Sequence, residues 1–399
     1  MGNAFPQTGC NHFHPSASMP ELRSRTGPDL AKYHSTRRFA SLDGLRFLCI
    51  GAVLWHHAPV WQDDGLRLLT RGFVGVDFFF VLSGFLITTL LVRERRATGH
   101  ISLKGFYWRR ILRIIPVYFF VVTAVCVYYI FVKGERQYLE HAPYYYLFLS
   151  NFLSSDIPML GATWSLAVEE QYYMLWPLLL VLLPARALLP VLAGLIALNL
   201  AAITNALTPL GITAVEAGPL VFKMFNATYA PILIGSALAI LLDRPGSFDR
   251  MARLAGYRLA PLATFVILLL MLQVLPQDLR GWPNLLIHLT MAACLATLVV
   301  REDNLLRPLM TFPPIARVGE ISYGIYLYHL LALHVVNVGL ARADLQNLWV
   351  VTLLYSLLSI AIAEFSFRTW ESWFLRLKDK RFGRVRAVEP ATDPRLRER

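Results

Sequence analysis

Four side chains able to carry protons stand inside long apolar stretches of this chain: His57, Asp77, Glu169 and Glu170. An ionisable group placed in a membrane-length apolar helix is costly and usually marks a function. Histidine acts as a general base or as an acyl carrier, and a carboxylate beside it can fix its tautomer. With a rise of about 1.5 Å per residue counted from the basic end of each stretch, His57 lies roughly 22 Å up, Asp77 roughly 24 Å and Glu169 and Glu170 roughly 21 to 22 Å. Four groups from three helices thus share one predicted layer. Asp77 is expected to hold the His57 ring, with Glu170 preferred to Glu169 as the second carboxylate because adjacent helical positions diverge by about 100°. The plainer reading is a structural His–Asp pair between neighbouring helices. His56 is an equal candidate on residue type alone.

A second group is cationic. Arg46 precedes His57 by eleven residues, hence by roughly 16 Å along one helix, and Arg110 and Arg113 share a helix face. Guanidinium is the preferred partner of phosphate, so these three arginines are read as an anion site at the inner boundary, whereas Arg109 reads as a snorkelling flank residue. The spacing suits a phosphate-bearing donor whose reactive end reaches about 16 Å deeper, a span that an extended pantetheine arm covers. Acyl-coenzyme A is the expected co-substrate, with no bound cofactor and no metal. Ser83 beside Gly84 could carry an acyl group but reads more simply as a packing contact. Trp164, Tyr323, Tyr326 and His329 are candidate pore-lining residues; the last three are placed nearer the donor end, with an aromatic interface belt as the alternative.

The elements that position these groups follow from composition. The 399 residues are 56% apolar and 16% charged with a net charge of +12, and the mean hydropathy is +0.49; a soluble chain would carry about 25% charged residues. Apolar runs predict an all-α polytopic membrane protein of ten spans, near 42–61, 71–92, 113–132, 164–184, 187–204, 220–242, 259–275, 283–300, 320–340 and 347–367. The aromatic run 141–152 is too short to cross and is expected to be interfacial or re-entrant. This layout puts 31 of the 38 basic residues on one side, so both termini are predicted cytoplasmic. Residues 1–38 read as a disordered cytosolic tail, 39–373 as one transmembrane domain and 374–399 as a basic cytosolic tail. The charge is thereby an orientation signal, which excludes nucleic acid as the partner. Cys10, Cys49, Cys126 and Cys294 follow no metal spacing, and Cys10 with His12 and His14 reads as chance.

Several ordered motifs carry a resemblance. Ser41-Leu-Asp-Gly-Leu-Arg46 with His57 eleven residues on, Gly75-Val-Asp-Phe-Phe-Phe-Val-Leu-Ser-Gly-Phe85, Phe106 to Pro116 with Arg110 and Arg113 as an RxxR pair, Thr163-Trp-Ser-Leu-Ala-Val-Glu-Glu-Gln-Tyr-Tyr173 and Ser322-Tyr-Gly-Ile-Tyr-Leu-Tyr-His329 occur in that order. Together they resemble the integral-membrane acyltransferase-3 family, from about Phe39 to Trp373. That resemblance implies ten spans, a catalytic histidine at His57 in preference to His56, and donor-binding roles for Arg46, Arg110 and Arg113. A final motif departs from the family pattern: Ser366-Phe-Arg-Thr-Trp-Glu-Ser-Trp373 keeps Arg368 and Glu371 without the family's tyrosine and proline.

The implied activity is transfer of an acyl group, most simply acetyl, from cytosolic acyl-coenzyme A to a hydroxyl of a cell-surface or exported glycan, in a bacterial inner membrane. Acylation of a small molecule such as a macrolide keeps the same chemistry. A proton-coupled transporter is the rival class, and would call for inverted repeats and broken helices near the midplane; the sequence displays no convincing repeat.

Overall fold

The computed structural model describes residues 28–60, 66–204, 206–210, 215–222, 229–279, 281–345 and 347–382. The described residues are mainly helical, with two short strands. Its elements are α1 (Leu30–Ser35), α2 (Ser41–His57), α3 (Arg67–Thr70), α4 (Val74–Thr98), α5 (Leu103–Val127, continued by a wide turn to Val132), α6 (Ala142–Tyr146) and α7 (Thr163–Leu182). Then follow α8 (Leu188–Ile203), the strands β1 (Val215–Ala217) and β2 (Leu220–Phe222), α9 (Ala230–Asp243), α10 (Pro245–Ala255), α11 (Ala260–Val274) and α12 (Trp282–Val300). The last are α13 (Arg307–Met310), α14 (Pro313–Glu320), α15 (Ser322–Arg342), α16 (Leu348–Ser366) and α17 (Ser372–Phe382).

A helix falls on each of the ten apolar segments, but they differ in length. Five are long and apolar enough to cross a membrane: Val74–Thr98, Leu103–Val132, Trp282–Val300, Ser322–Arg342 and Leu348–Leu377. A sixth crossing arises if α10 and α11, bent by 77°, act as one span. By contrast α2, α8, α9 and α11 run only 14 to 17 residues, short of the about 20 that a perpendicular crossing takes.

Two boundaries expected from the sequence shift. The segment 220–242 does not begin as helix, because β1 and β2 form an antiparallel hairpin in which Ala217 pairs with Leu220. Its two-residue turn is Gly218-Pro219, with Gly218 at φ 60°, a conformation glycine adopts without steric cost. The other shift concerns the tail assigned to 1–38. Its last residues are folded: α1 is capped by the Asp29 side chain, and Tyr33 is buried against Phe39 and Phe248. The rest of that tail, residues 1–27, lies outside the described residues, as do 383–399 of the C-terminal one.

The 141–152 run enters the bundle without crossing it. Tyr118 donates a hydrogen bond to the Tyr145 carbonyl at 2.9 Å, and the Tyr145 hydroxyl accepts from the Ile157 amide at 2.8 Å while donating to Asp156 at 3.2 Å. Tyr145, Ile157 and Leu160 are fully buried. Irregular backbone at this depth is tolerated where protein covers it.

The bundle has two apolar cores, one lined mainly by α5, α7, α15 and the 133–162 segment, the other by α9, α11 and α12, with α2 and α4 contributing to both. Between α4 and α9 the backbones touch: a side chain on Gly84 would meet the Ile232 carbonyl, and one on Gly235 the Val81 carbonyl. Small residues permit such crossings in apolar surroundings. Gly235→Leu is therefore expected to cost about 3 kcal/mol or more, read as a fall in the melting temperature of purified protein, with Gly194→Leu, which meets no neighbouring atom, near parental.

Candidate active site

At the end of the bundle rich in arginine, a cavity of about 290 Å³ opens between α2, α4, α5, α7 and α15. Arg37, Arg38, Arg46, Arg93, Arg110 and Arg113 line it, opposed by three carboxylates, Asp43, Glu169 and Glu170. Short local devices set each cation. Asp43 and Arg46 lie three residues apart on α2 and pair at 2.6 Å, while the other oxygen of Asp43 takes Arg38, also at 2.6 Å. On α5, the Arg110 guanidinium sits 4.5 Å from the centre of the Tyr173 ring, a cation–π contact. Arg113, one turn further along α5, is deep in the bundle yet accessible, because its free surface faces the cavity. Among the described residues no carboxylate lies within ion-pair distance of Arg37, Arg110 or Arg113. Cations that line a cavity without a protein counter-ion suit an anionic ligand. Arg109 instead pairs with Glu94 at 3.4 Å.

The glutamates belong to this cavity. Glu169 accepts hydrogen bonds from Ser83 at 2.7 Å and from Tyr173 at 3.2 Å, so Ser83 is a carboxylate partner and the backbone packing falls to Gly84. Both Glu169 and Glu170 line the wall, because the cavity wraps α7 far enough to meet two successive positions. Tyr323 and Tyr326 line it too, with the Tyr323 hydroxyl donating to the Ile114 carbonyl at 3.2 Å.

His57 stands elsewhere, at the far end of α2. Its Nδ1 is 3.0 Å from the Val53 carbonyl. A carbonyl only accepts, so Nδ1 carries the proton and Nε2 presents its lone pair. The ring packs edge-on against His329 with centroids 4.7 Å apart, and against His56 at 5.1 Å. His329 is fully buried and repeats the device, its Nδ1 donating to the Tyr326 carbonyl at 2.5 Å. Tyr326 joins the two regions: it lines the cavity, stacks 5.5 Å from His329, and shares its hydroxyl with Ser165 at 2.6 Å and the Ala162 carbonyl at 2.9 Å. Trp164 packs edge-on against Phe80 beside this strip.

The single layer expected from residue counting therefore separates into three groups. Asp77 does not touch His57; it lies 3.2 Å from His288 of α12, both buried. Glu169 and Glu170 are with the arginines, and among the described residues no hydrogen bond or ion pair ties any of these three carboxylates to His57. Helical rise fixes height on a straight perpendicular helix, but rotation, tilt and the inserted 133–162 segment decide which groups meet. His329 moves the other way, from a donor-end position to the His57 ring.

Sequence reasoning passed over the Val53 carbonyl, His288 and the Asp43 clamp. Only the last had a legible signal, the i, i+3 spacing of Asp43 and Arg46. Among the described residues no cluster of His, Cys, Asp or Glu is arranged to hold a metal.

An arginine-lined cavity inside a helical bundle, joined through Tyr326 and His329 to a histidine whose Nε2 is free to accept a proton, has the elements of a group-transfer site. The chain belongs to the acyltransferase-3 family, whose acyltransferase domain matches residues 39–364. Among similar proteins, the peptidoglycan O-acetyltransferase OatA of Listeria monocytogenes is 27% identical over 379 residues, covering 88% of this chain and 59% of that protein. The O-acetyltransferase OatA of Staphylococcus aureus is 27% identical over 366 residues, covering 86% and 58%. The putative peptidoglycan O-acetyltransferase YrhL of Bacillus subtilis is 30% identical over 334 residues, covering 74% and 49%. The chain thus spans between half and three-fifths of these relatives' length. No solved structure matches it.

Proposed function

We propose that this protein is a membrane O-acetyltransferase that takes acetyl from acyl-coenzyme A at the cytosolic face and delivers it to a hydroxyl of a glycan at the outer face. The observation that carries this reading is the arginine-lined cavity, in which Arg110 and Arg113 have no carboxylate partner among the described residues, with the Tyr326 strip that ends at the His57–His329 pair. The donor's phosphates sit on Arg46, Arg110 and Arg113, and its thioester extends along the 16 Å or so of α2 that separates Arg46 from His57. The acceptor hydroxyl gives its proton to His57 Nε2 as its oxygen attacks the thioester carbonyl; the C–S bond breaks, and the departing thiolate takes that proton back. Transient acylation of Nε2 is the two-step form of the same exchange. The Val53 carbonyl supplies the tautomer control that a carboxylate supplies in hydrolase triads.

Ten crossings with both termini in the cytosol, in a bacterial inner membrane, fit this reading: the helices shorter than a span then cross at a locally thin or protein-lined depth. The peptidoglycan acceptors named for the relatives make a wall or surface polysaccharide the first acceptor to test. Mass spectrometry of peptidoglycan and surface polysaccharide from cells with and without the gene is expected to reveal acetyl esters that vanish on deletion. Esters confined to a cytosolic small molecule such as a macrolide would move the acceptor. Purified protein that neither transfers nor hydrolyses acetyl-coenzyme A in the absence of an ion gradient would favour a transporter.

A further inference from the structure

We propose that Arg37 and Arg38 form a second phosphate subsite at the mouth of the cavity, which takes the ribose-phosphate end of the donor while Arg46, Arg110 and Arg113 hold the phosphates next to the acyl arm. This rests on the donor reading above and adds a determinant to it.

Two exposed arginines near a membrane surface would by themselves be ordinary flanking charge. These two are held in place. Arg93 of α4 donates to the carbonyls of Thr36 at 2.5 Å and Tyr33 at 2.7 Å, and its guanidinium lies 5.2 Å from the ring centres of both Tyr33 and Phe39. That clamp ties down the residues on both sides of Arg37 and Arg38. Asp43, itself buried, then aims Arg38 at the rim while gripping Arg46 with its other oxygen, so rim and interior are joined through one carboxylate. Arg37 has no protein partner among the described residues, yet it lines the same cavity. Ordering a segment costs conformational entropy, and a charged pair so fixed at a cavity mouth is placed to meet an anion.

Size makes the same point. A cavity of about 290 Å³ is at the lower limit of small-molecule sites, roughly 300 to 1,000 Å³. It has room for an acyl arm and the phosphates beside it, and a nucleotide must then lie at the mouth, against Arg37 and Arg38.

The test measures initial rates of purified protein in phosphatidylcholine vesicles with three donors: acetyl-coenzyme A, its 3′-dephospho form and S-acetylpantetheine. Arg37→Gln, which removes no protein contact, and the double variant R37Q/R38Q are expected to raise KM for acetyl-coenzyme A by about tenfold and up to a hundredfold respectively, at near-parental kcat. Neither should change KM for S-acetylpantetheine, and the 3′-dephospho donor should lose most of the difference between parent and variant. An unchanged KM for acetyl-coenzyme A, or an equal rise with S-acetylpantetheine, overturns the subsite while leaving the donor reading intact. A shift that appears only when phosphatidylglycerol is added assigns the arginines to lipid headgroups and also overturns it. A parent protein that turns over none of the three donors overturns the donor reading itself.

Discussion

Replacing His57 by alanine is expected to abolish acyl transfer, to at least about a thousandfold below the parent, in protein that inserts and purifies at parental yield. The geometry dictates both halves of this result. His57 is the last residue of α2, and among the described residues its only side-chain hydrogen bond runs to the Val53 carbonyl of its own helix. Its loss therefore breaks no bridge between elements and leaves a modest cavity beside His329. No neighbouring histidine is placed to substitute, because His56 points toward Phe73 and His329, whose Nδ1 is held in the same way as that of His57, is fully buried. His57→Gln is the sharper control: its amide nitrogen can still meet a backbone carbonyl, but it neither accepts a proton nor carries an acyl group. Near-parental transfer by either variant, measured as acetyl ester formed per enzyme, would remove His57 from the mechanism.

Joint replacement of Arg110 and Arg113 by alanine is expected to raise KM for acetyl-coenzyme A by at least about a hundredfold, since charge-assisted contacts to phosphate are each worth about 1.5 to 3 kcal/mol. The two arginines separate in the way they fail. Arg113 has no carboxylate partner among the described residues and stands one turn from another cation, so like charge and desolvation oppose the ligand-free fold. Arg113→Ala should therefore weaken donor binding while leaving the melting temperature of ligand-free protein equal or higher. Arg110 also covers the Tyr173 ring, whose hydroxyl supports Glu169, and Arg110→Ala should lower both affinity and melting temperature. Lysine at either position restores charge without the planar fork and is expected to recover only part of the affinity. Isothermal titration with acetyl-coenzyme A and thermal unfolding of the same samples separate these outcomes. A fall in stability for Arg113→Ala would make it a structural residue.

Much of this arrangement is legible in the residues, and the reason differs by part. Apolar runs near membrane length can satisfy their backbone only as helices, so a helix falls on every predicted segment. Arg46, Arg110 and Arg113 are legible as cavity residues because they border or interrupt apolar helix, and two of them share a face by their spacing of three. The division of the acidic residues was not legible. Asp77 meets His288, a residue more than two hundred positions away, and no local pattern encodes such a pairing. The glutamates join the arginines because α7 follows the 133–162 segment, anchored through Tyr145, Ser150, Ile157 and Leu160, whose irregular path sets the height and rotation at which that helix enters the bundle.

The sequence by itself determined the helical class, the basic end of the bundle, three of the arginines that line the cavity and, through its motifs, the family. Each of these depends on residue type and on separations within one helix, where rise and turn per residue are fixed. The tertiary structure alone decided which side chains meet: Val53 rather than Asp77 holds the His57 proton, His329 stands beside it, and the folded end of the N-terminal segment brings Arg37 and Arg38 to the cavity mouth. Contacts between helices depend on rotation, tilt and packing, which are set by the whole bundle and not by any one segment of it.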